Sequence, residues 1–162
     1  RGIDFAVGNV NVYPMFTNDT TIADVFQSVS DLSSPQGRHV DLTTDVTYVF
    51  KGEQRTDQIL QRMLHLSSAA VNRFDAVTIN TLLGVSGNTG QWNGSGYPLH
   101  LHTDISAGQN RSPWLDYLSM NYASPILSSY SYIEDNRVYY DPLIFLHRYN
   151  YPVQNGANQY NR

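Results

Sequence analysis

His39-Val40-Asp41-Leu42-Thr43-Thr44-Asp45-Val46-Thr47-Tyr48-Val49-Phe50-Lys51 alternates with little interruption. Val40, Leu42, Thr44, Val46, Tyr48 and Phe50 fall on one face, and His39, Asp41, Thr43, Asp45, Thr47, Val49 and Lys51 on the other. A period of two marks a strand with one face on a core and one facing water. Its β-branched and aromatic content suits a pleated, half-buried surface. Gly52-Glu53-Gln54 then breaks the pattern, and Thr56 can cap a helix with Asp57 in its first turn. Ile59, Leu60, Met63, Leu64, Ser67, Ala70 and Val71 follow at helical spacing. The stretch therefore predicts a strand at 39–51 turning into an amphipathic helix at 56–71, the nucleus of an α+β layer.

Working outward, Ile3, Phe5 and Val7 alternate, Gly8-Asn9 interrupts, and Val10 and Val12 resume, which reads as a bent strand. Residues 21–32 read as a helix and 74–83 as a strand. Gly84 to Gly96 holds five glycines and reads as a long loop. Tyr97 to His102 reads as a short strand, and Ser112-Pro113 as a helix start. Segments 126–133 and 137–145 read as a hairpin across Glu134-Asp135-Asn136. The predicted fold is a single α+β domain over residues 1–149, mainly antiparallel sheet with two or three helices packed on it. Strands 39–51 and 74–83 are expected to pair with the 126–145 hairpin, and helix 56–71 to cover one face. An extended C-terminal tail, 150–162, follows. This element order resembles that of small tail-completion or terminator proteins of bacterial viruses, a resemblance that implies an assembly role.

Composition points the same way. Charged residues are only 15% of the chain, with Lys51 the single lysine and Glu53 and Glu134 the only glutamates, while tyrosines number 12. Lys, Glu and Asp are depleted at protein interfaces and Tyr and Arg enriched, so the surface suits contact with other chains or glycans. A formal charge of −4 and the lack of any basic run exclude nucleic-acid binding. Zero cysteines exclude disulfides and thiolate metal sites. No apolar run reaches the length of a membrane span, so no membrane insertion is expected. The chain opens at Arg1 instead of Met, as a processed or partial product does.

Candidate sites were ranked by residue chemistry. In His100-Leu101-His102-Thr103-Asp104 both imidazoles share one strand face with Asp104 close behind, a sound ligand set for zinc, iron or copper. The His-x-His pair after Gly94 is similar to the cupin motif but lacks its following glutamate. Asp141 to Arg148 loosely resembles the second copper motif of tyrosinases, with Arg148 where that motif has a histidine. Trp92, Asn93 and Tyr97 could stack on and hydrogen-bond a sugar. Tyr130, Tyr132, Tyr139, Tyr149, Tyr151 and Tyr160 offer a rigid, amphipathic contact surface. No serine sits in a nucleophile elbow, no phosphate loop is present, and no catalytic residue is named.

The resulting expectation is a non-enzymatic structural or interaction protein within a larger assembly, in a virion or at a cell surface. Its expected partners are other subunits, as a homo-oligomer or hetero-assembly, and possibly glycan, with no cofactor. The first alternative is a carbohydrate-binding module at Trp92, Asn93 and Tyr97. The second is a metal-dependent enzyme at His100, His102 and Asp104, although no tightly bound metal is expected there.

Overall fold

Residues 2–50, 53–107, 131–134 and 137–140 are described by the structure, a computed structural model. In chain order the elements are β1 (Ile3–Phe5), β2 (Asn11–Val12), β3 (Ile22–Phe26), α1 (Val29–Leu32), β4 (His39–Phe50), β5 (Glu53–Leu64) and β6 (Leu66–Ala69). There follow β7 (Gly84–Ser86), β8 (Gln91–Trp92), β9 (Ser95–Gly96), β10 (Leu101–Ala107), β11 (Ser131–Glu134) and β12 (Arg137–Tyr140). Seven strands make one antiparallel sheet in the order β11-β12-β10-β5-β4-β3, with β1 also paired to β10. β2, β7 and β6 form a second, three-stranded sheet, and β8 and β9 a small hairpin.

The strand at 39–50 forms where its alternation places it, but the expected α+β class is corrected to a mostly antiparallel β fold. Among the described residues the single helix is α1, four residues long and closed by a capping box between Ser28 and Asp31. The predicted helix 56–71 is instead β5 and β6. The reason lies in burial on two faces. β5 is hydrogen-bonded between β4 and β10, with Ile59 and Met63 on one face and Leu64 on the other all buried. Apolar residues on both faces of a central strand produce i, i+1, i+4 coincidences that imitate a helical stripe. The predicted helix 21–32 likewise gives way to β3, because Val25 and Phe26 pair with Val40 and His39.

Other expectations are corrected in the same way. Residues 74–83 form no strand; turns at Asn72–Asp75 and Thr78–Thr81 shape them, and Phe74 and Val77 bond to the backbone of Ala23 and Thr21. The loop expected at 84–96 contains β7, β8 and β9. The short strand expected at Tyr97 to His102 is instead β10, which starts at Leu101 and runs to Ala107. The late hairpin does form, as β11 and β12, but it joins the sheet through β10 and not through 39–51 or 74–83. The helix expected from Ser112 and the tail 150–162 lie outside the described residues.

Val40, Leu42 and Met63 of the large sheet meet Val12, Leu66, Val71, Val77 and Leu83 in the main core cluster. Gln61 faces inward too, and is fully buried. Its Oε1 accepts from the Met15 and Phe16 amides at 3.1 and 3.2 Å, and its Nε2 donates to the Phe16 carbonyl at 2.8 Å. One side chain thus satisfies three backbone groups of the segment leading from β2 to β3. Replacing Gln61 with leucine leaves those groups buried and unpaired, at roughly 1–3 kcal/mol for each that stays dry. Gln61→Leu is expected to lower the urea unfolding free energy by about 2–4 kcal/mol without altering the far-UV spectrum.

Candidate functional site

Partners across an antiparallel ladder share a face. Asp41 pairs with Arg62 in the β4–β5 register, and Arg62 with Asp104 in the β5–β10 register, so the three form a row across the sheet. His39 and His102 stand two residues before Asp41 and Asp104 and share their face. Arg62 grips Asp104 bidentately: Nε donates to Oδ1 at 2.9 Å and Nη2 to Oδ2 at 2.7 Å. Burial acts to raise the Asp104 pKa, but His102 and Arg62 together hold it below the usual carboxylate range.

Four of the five histidines gather here; His147 lies outside the described residues. In each of the four, Nδ1 meets an oxygen that can only accept. His39 Nδ1 lies 2.8 Å from the Gly37 carbonyl, His65 Nδ1 2.9 Å from that of Thr89, and His100 Nδ1 2.8 Å from that of Pro98. His102 Nδ1 lies 2.6 Å from Asp4 Oδ1. In a neutral ring an acceptor at Nδ1 places the proton there and the lone pair on Nε2, whereas the carboxylates of Asp4 and Asp104 flanking His102 favour its protonated ring. Each of three Nε2 atoms has a carboxylate oxygen nearby: Asp41 Oδ1 at 3.9 Å from His39, Asp104 Oδ2 at 3.8 Å from His102, and Asp4 Oδ1 at 3.8 Å from His100.

His65 occupies the corner between β5 and β6 with φ of 62°, a left-handed backbone that turns the chain out of the large sheet. Such conformations cost energy and concentrate at functional positions. Its ring packs on Tyr97 at 4.3 Å and on His100 at 4.5 Å between centroids, with His102 at 6.1 Å. His65, His100 and His102, with Asp4, Gln36, Leu64, Tyr97 and Leu99, line an open groove of about 560 Å³. Burial is the main cause that pushes the His65 pKa down to about 4, helped by the neighbouring His100 and His102. Burial also lowers that of His39. For His102 burial acts downward as well, yet the neighbouring carboxylates of Asp104 and Asp4 raise the pKa overall.

Of the residues singled out by sequence, His100 and His102 do share a face, while Asp104 is engaged by Arg62 instead of standing ready as a ligand. Tyr97 belongs to this groove, whereas Trp92 sits in the β8–β9 hairpin with Asn93 at its turn, φ 51°. Tyr132 and Tyr139 oppose each other in the β11–β12 register. Tyr130, Tyr149, Tyr151 and Tyr160 lie outside the described residues. Sequence reading passed over His65, placed inside a supposed helix, and Asp4. It assigned His39 and Asp41 only to a wet face. The available signal was the recurrence of His and Asp at period two in both His39-Val40-Asp41 and His100-Leu101-His102-Thr103-Asp104.

No family model matches the sequence, and no curated relative does. Two solved structures resemble the fold. One is a mutant catalytic domain of the prophage-encoded M23 protein EnpA from Enterococcus faecalis, with 18% identity and a TM-score of 0.44, covering 69% of this chain and 68% of that one. The other is LytU, with 21% identity and a TM-score of 0.42, covering 74% of this chain and 72% of that one. The expectation of a non-enzymatic assembly part is corrected here. One of these two structures is described as a catalytic domain, and here His65, His100 and His102 line one groove with Asp4.

Because folding depresses the His65 pKa below its unfolded value of about 6.5, the neutral ring contributes stability in full above that pH. The contribution is lost as pH falls toward about 4. In chelator-treated protein the melting temperature is expected to drop across this window. The drop is expected to be shallower in His65→Gln, and an equally steep drop in that variant counts against the assignment.

Proposed function

We propose that the protein is a metal-dependent hydrolase that cleaves peptide bonds, with its active site in the groove between His65, His100 and His102. The observation that carries this reading is the gathering of His65, His100, His102 and Asp4 along one open groove.

His39, Asp41 and His102 carry donor types that suit a cation, without standing together as a metal shell. Two nitrogens and one oxygen suit zinc, which keeps a further position open for water in catalytic sites. Donors sharing a tetrahedral zinc sit about 3.3 Å apart, from bonds of about 2.0–2.1 Å, and His39 Nε2 already lies 3.9 Å from Asp41 Oδ1. No three such side chains among the described residues stand close enough to close a metal shell as they are. When bound, the cation supplies polarisation of the scissile carbonyl and a lowered water pKa.

The chain's own groups do the rest. His65 is neutral above about pH 4, so it accepts a proton only briefly and gives it up readily to a leaving amine. His100, against the His65 ring, presents a second Nε2 on the same wall. Ala6, Pro35, Pro98 and Leu99 give the groove apolar sides, and Gln36 and Tyr97 bring polar groups for a substrate main chain.

The test is elemental analysis of protein purified without chelators, together with cleavage of a mixed peptide library read by mass spectrometry. The expected result is one zinc per chain, lost in His102→Ala. His65→Ala is expected to keep the metal and lose about 10²–10⁴-fold in kcat, the range for a general acid–base group. Protein that takes up no zinc and cleaves no peptide overturns the proposal.

A further inference from the structure

Thr89, on the chain between β7 and β8, meets His65 and the backbone beside it. Its hydroxyl accepts from the Arg38 amide at 2.8 Å and donates to the Leu66 carbonyl at 2.8 Å. Its carbonyl lies 2.9 Å from His65 Nδ1. Within the hydrolase reading above, where His65 handles a proton, we infer that Thr89 is the positioning residue for His65. It sets where the ring stands and which nitrogen is left to take the proton, and it needs no metal to do so.

Three segments distant in sequence converge on this residue. Arg38 leads into β4, Leu66 opens β6, and Thr89 precedes β8. The Gln91 amide donates to the Ser34 carbonyl at 3.0 Å, which fastens the far side of the same loop. Close backbone approach makes the junction possible. Gly37, at φ 65°, lies so near that a Cβ on it would strike the Thr89 carbonyl, the group that faces His65 Nδ1. Gly90, at φ 97°, stands against the Gly37 amide in return. Both sit in the left-handed region that glycine enters without cost from a side chain. A carbonyl can only accept, so in the neutral ring Nδ1 carries the hydrogen and Nε2 keeps the lone pair. The contacts of His65 with Tyr97 and His100, at 4.3 and 4.5 Å between centroids, are ring against ring and select no tautomer. The Thr89 hydroxyl thus fixes the loop, and the Thr89 carbonyl fixes the ring.

The experiment compares the full chain with Thr89→Val, which keeps the shape of the side chain without its hydroxyl, and with Thr89→Ser, which keeps the hydroxyl. Ring nitrogens are read by NMR at neutral pH, kcat and KM by peptide cleavage, and folding by urea unfolding. In the parent, His65 is expected as one tautomer with its hydrogen on Nδ1. A mixture of tautomers there, or hydrogen on Nε2, overturns the inference whichever variants fold. Thr89→Val is expected to move the His65 nitrogen signals toward a mixture and to leave those of His102, which Asp4 faces, in place. It is expected to lower kcat about 10–100-fold with KM little changed, the upper end being the cost of a misplacement of about 1 Å. Thr89→Ser is expected to restore the parent's signals and kcat. Unmoved His65 signals in folded Thr89→Val overturn the inference. So does an unchanged kcat where those signals move, or a Thr89→Ser that behaves as Thr89→Val does. A parent chain that cleaves no peptide overturns the hydrolase reading instead, and the nitrogen signals still report whether Thr89 holds His65.

Discussion

β5 is hydrogen-bonded to β4 along one edge and to β10 along the other, and those two registers set everything that lies on the outer face of the sheet. They bring Asp41, Arg62 and Asp104 into line and put His39 and His102 in the adjoining row. Side chains alternate with a period of two, so a slip of one residue in either ladder would turn a whole set toward the core. The inner face guards against that slip. Val40, Leu42 and Met63 are buried, and Gln61 is bonded on both ends of its amide to Met15 and Phe16. An apolar face thereby holds a polar face in register.

Where β5 ends, the chain must leave the large sheet to start β6, and His65 makes the turn. Its left-handed backbone is a cost that packing offsets. The His65 amide bonds to the Gln36 carbonyl at 3.1 Å, the Leu66 amide to that of Arg38 at 2.8 Å, and the Thr89 hydroxyl donates to the Leu66 carbonyl at 2.8 Å. The residue that connects the two sheets is therefore the one whose ring stands over the groove. Anything that repositions the second sheet repositions that imidazole relative to His100. Architecture and chemistry are coupled at this one corner.

The electrostatics of the face follow from burial. A carboxylate as dry as Asp104, 1% exposed, requires a partner, and Arg62 supplies one in bidentate geometry. Such a pair contributes little net stability, since desolvation opposes the attraction. Its consequence is orientation: it fixes Asp104 beside His102. The chain's formal charge of −4 favours approach of a cation over an anion.

The sequence by itself determined the strand at 39–50, the pairing of β11 with β12, and the common face of His100 and His102. Each is a local property, legible from period two or from turn residues within a few positions. It did not determine the state of residues 53–69, because periodicity reports which positions are buried and not how many faces are covered. A strand between two others carries apolar groups on both sides and takes on the look of a helix. Nor could it place Asp4 against His102, a contact across 98 positions of sequence, or His65 against His100. Those meetings depend on pairing of β10 with β1 and β5 together, and no residue along the chain carries the identity of its partner across a ladder. The tertiary structure decided them, because only closure of the sheet brings such distant side chains onto one face.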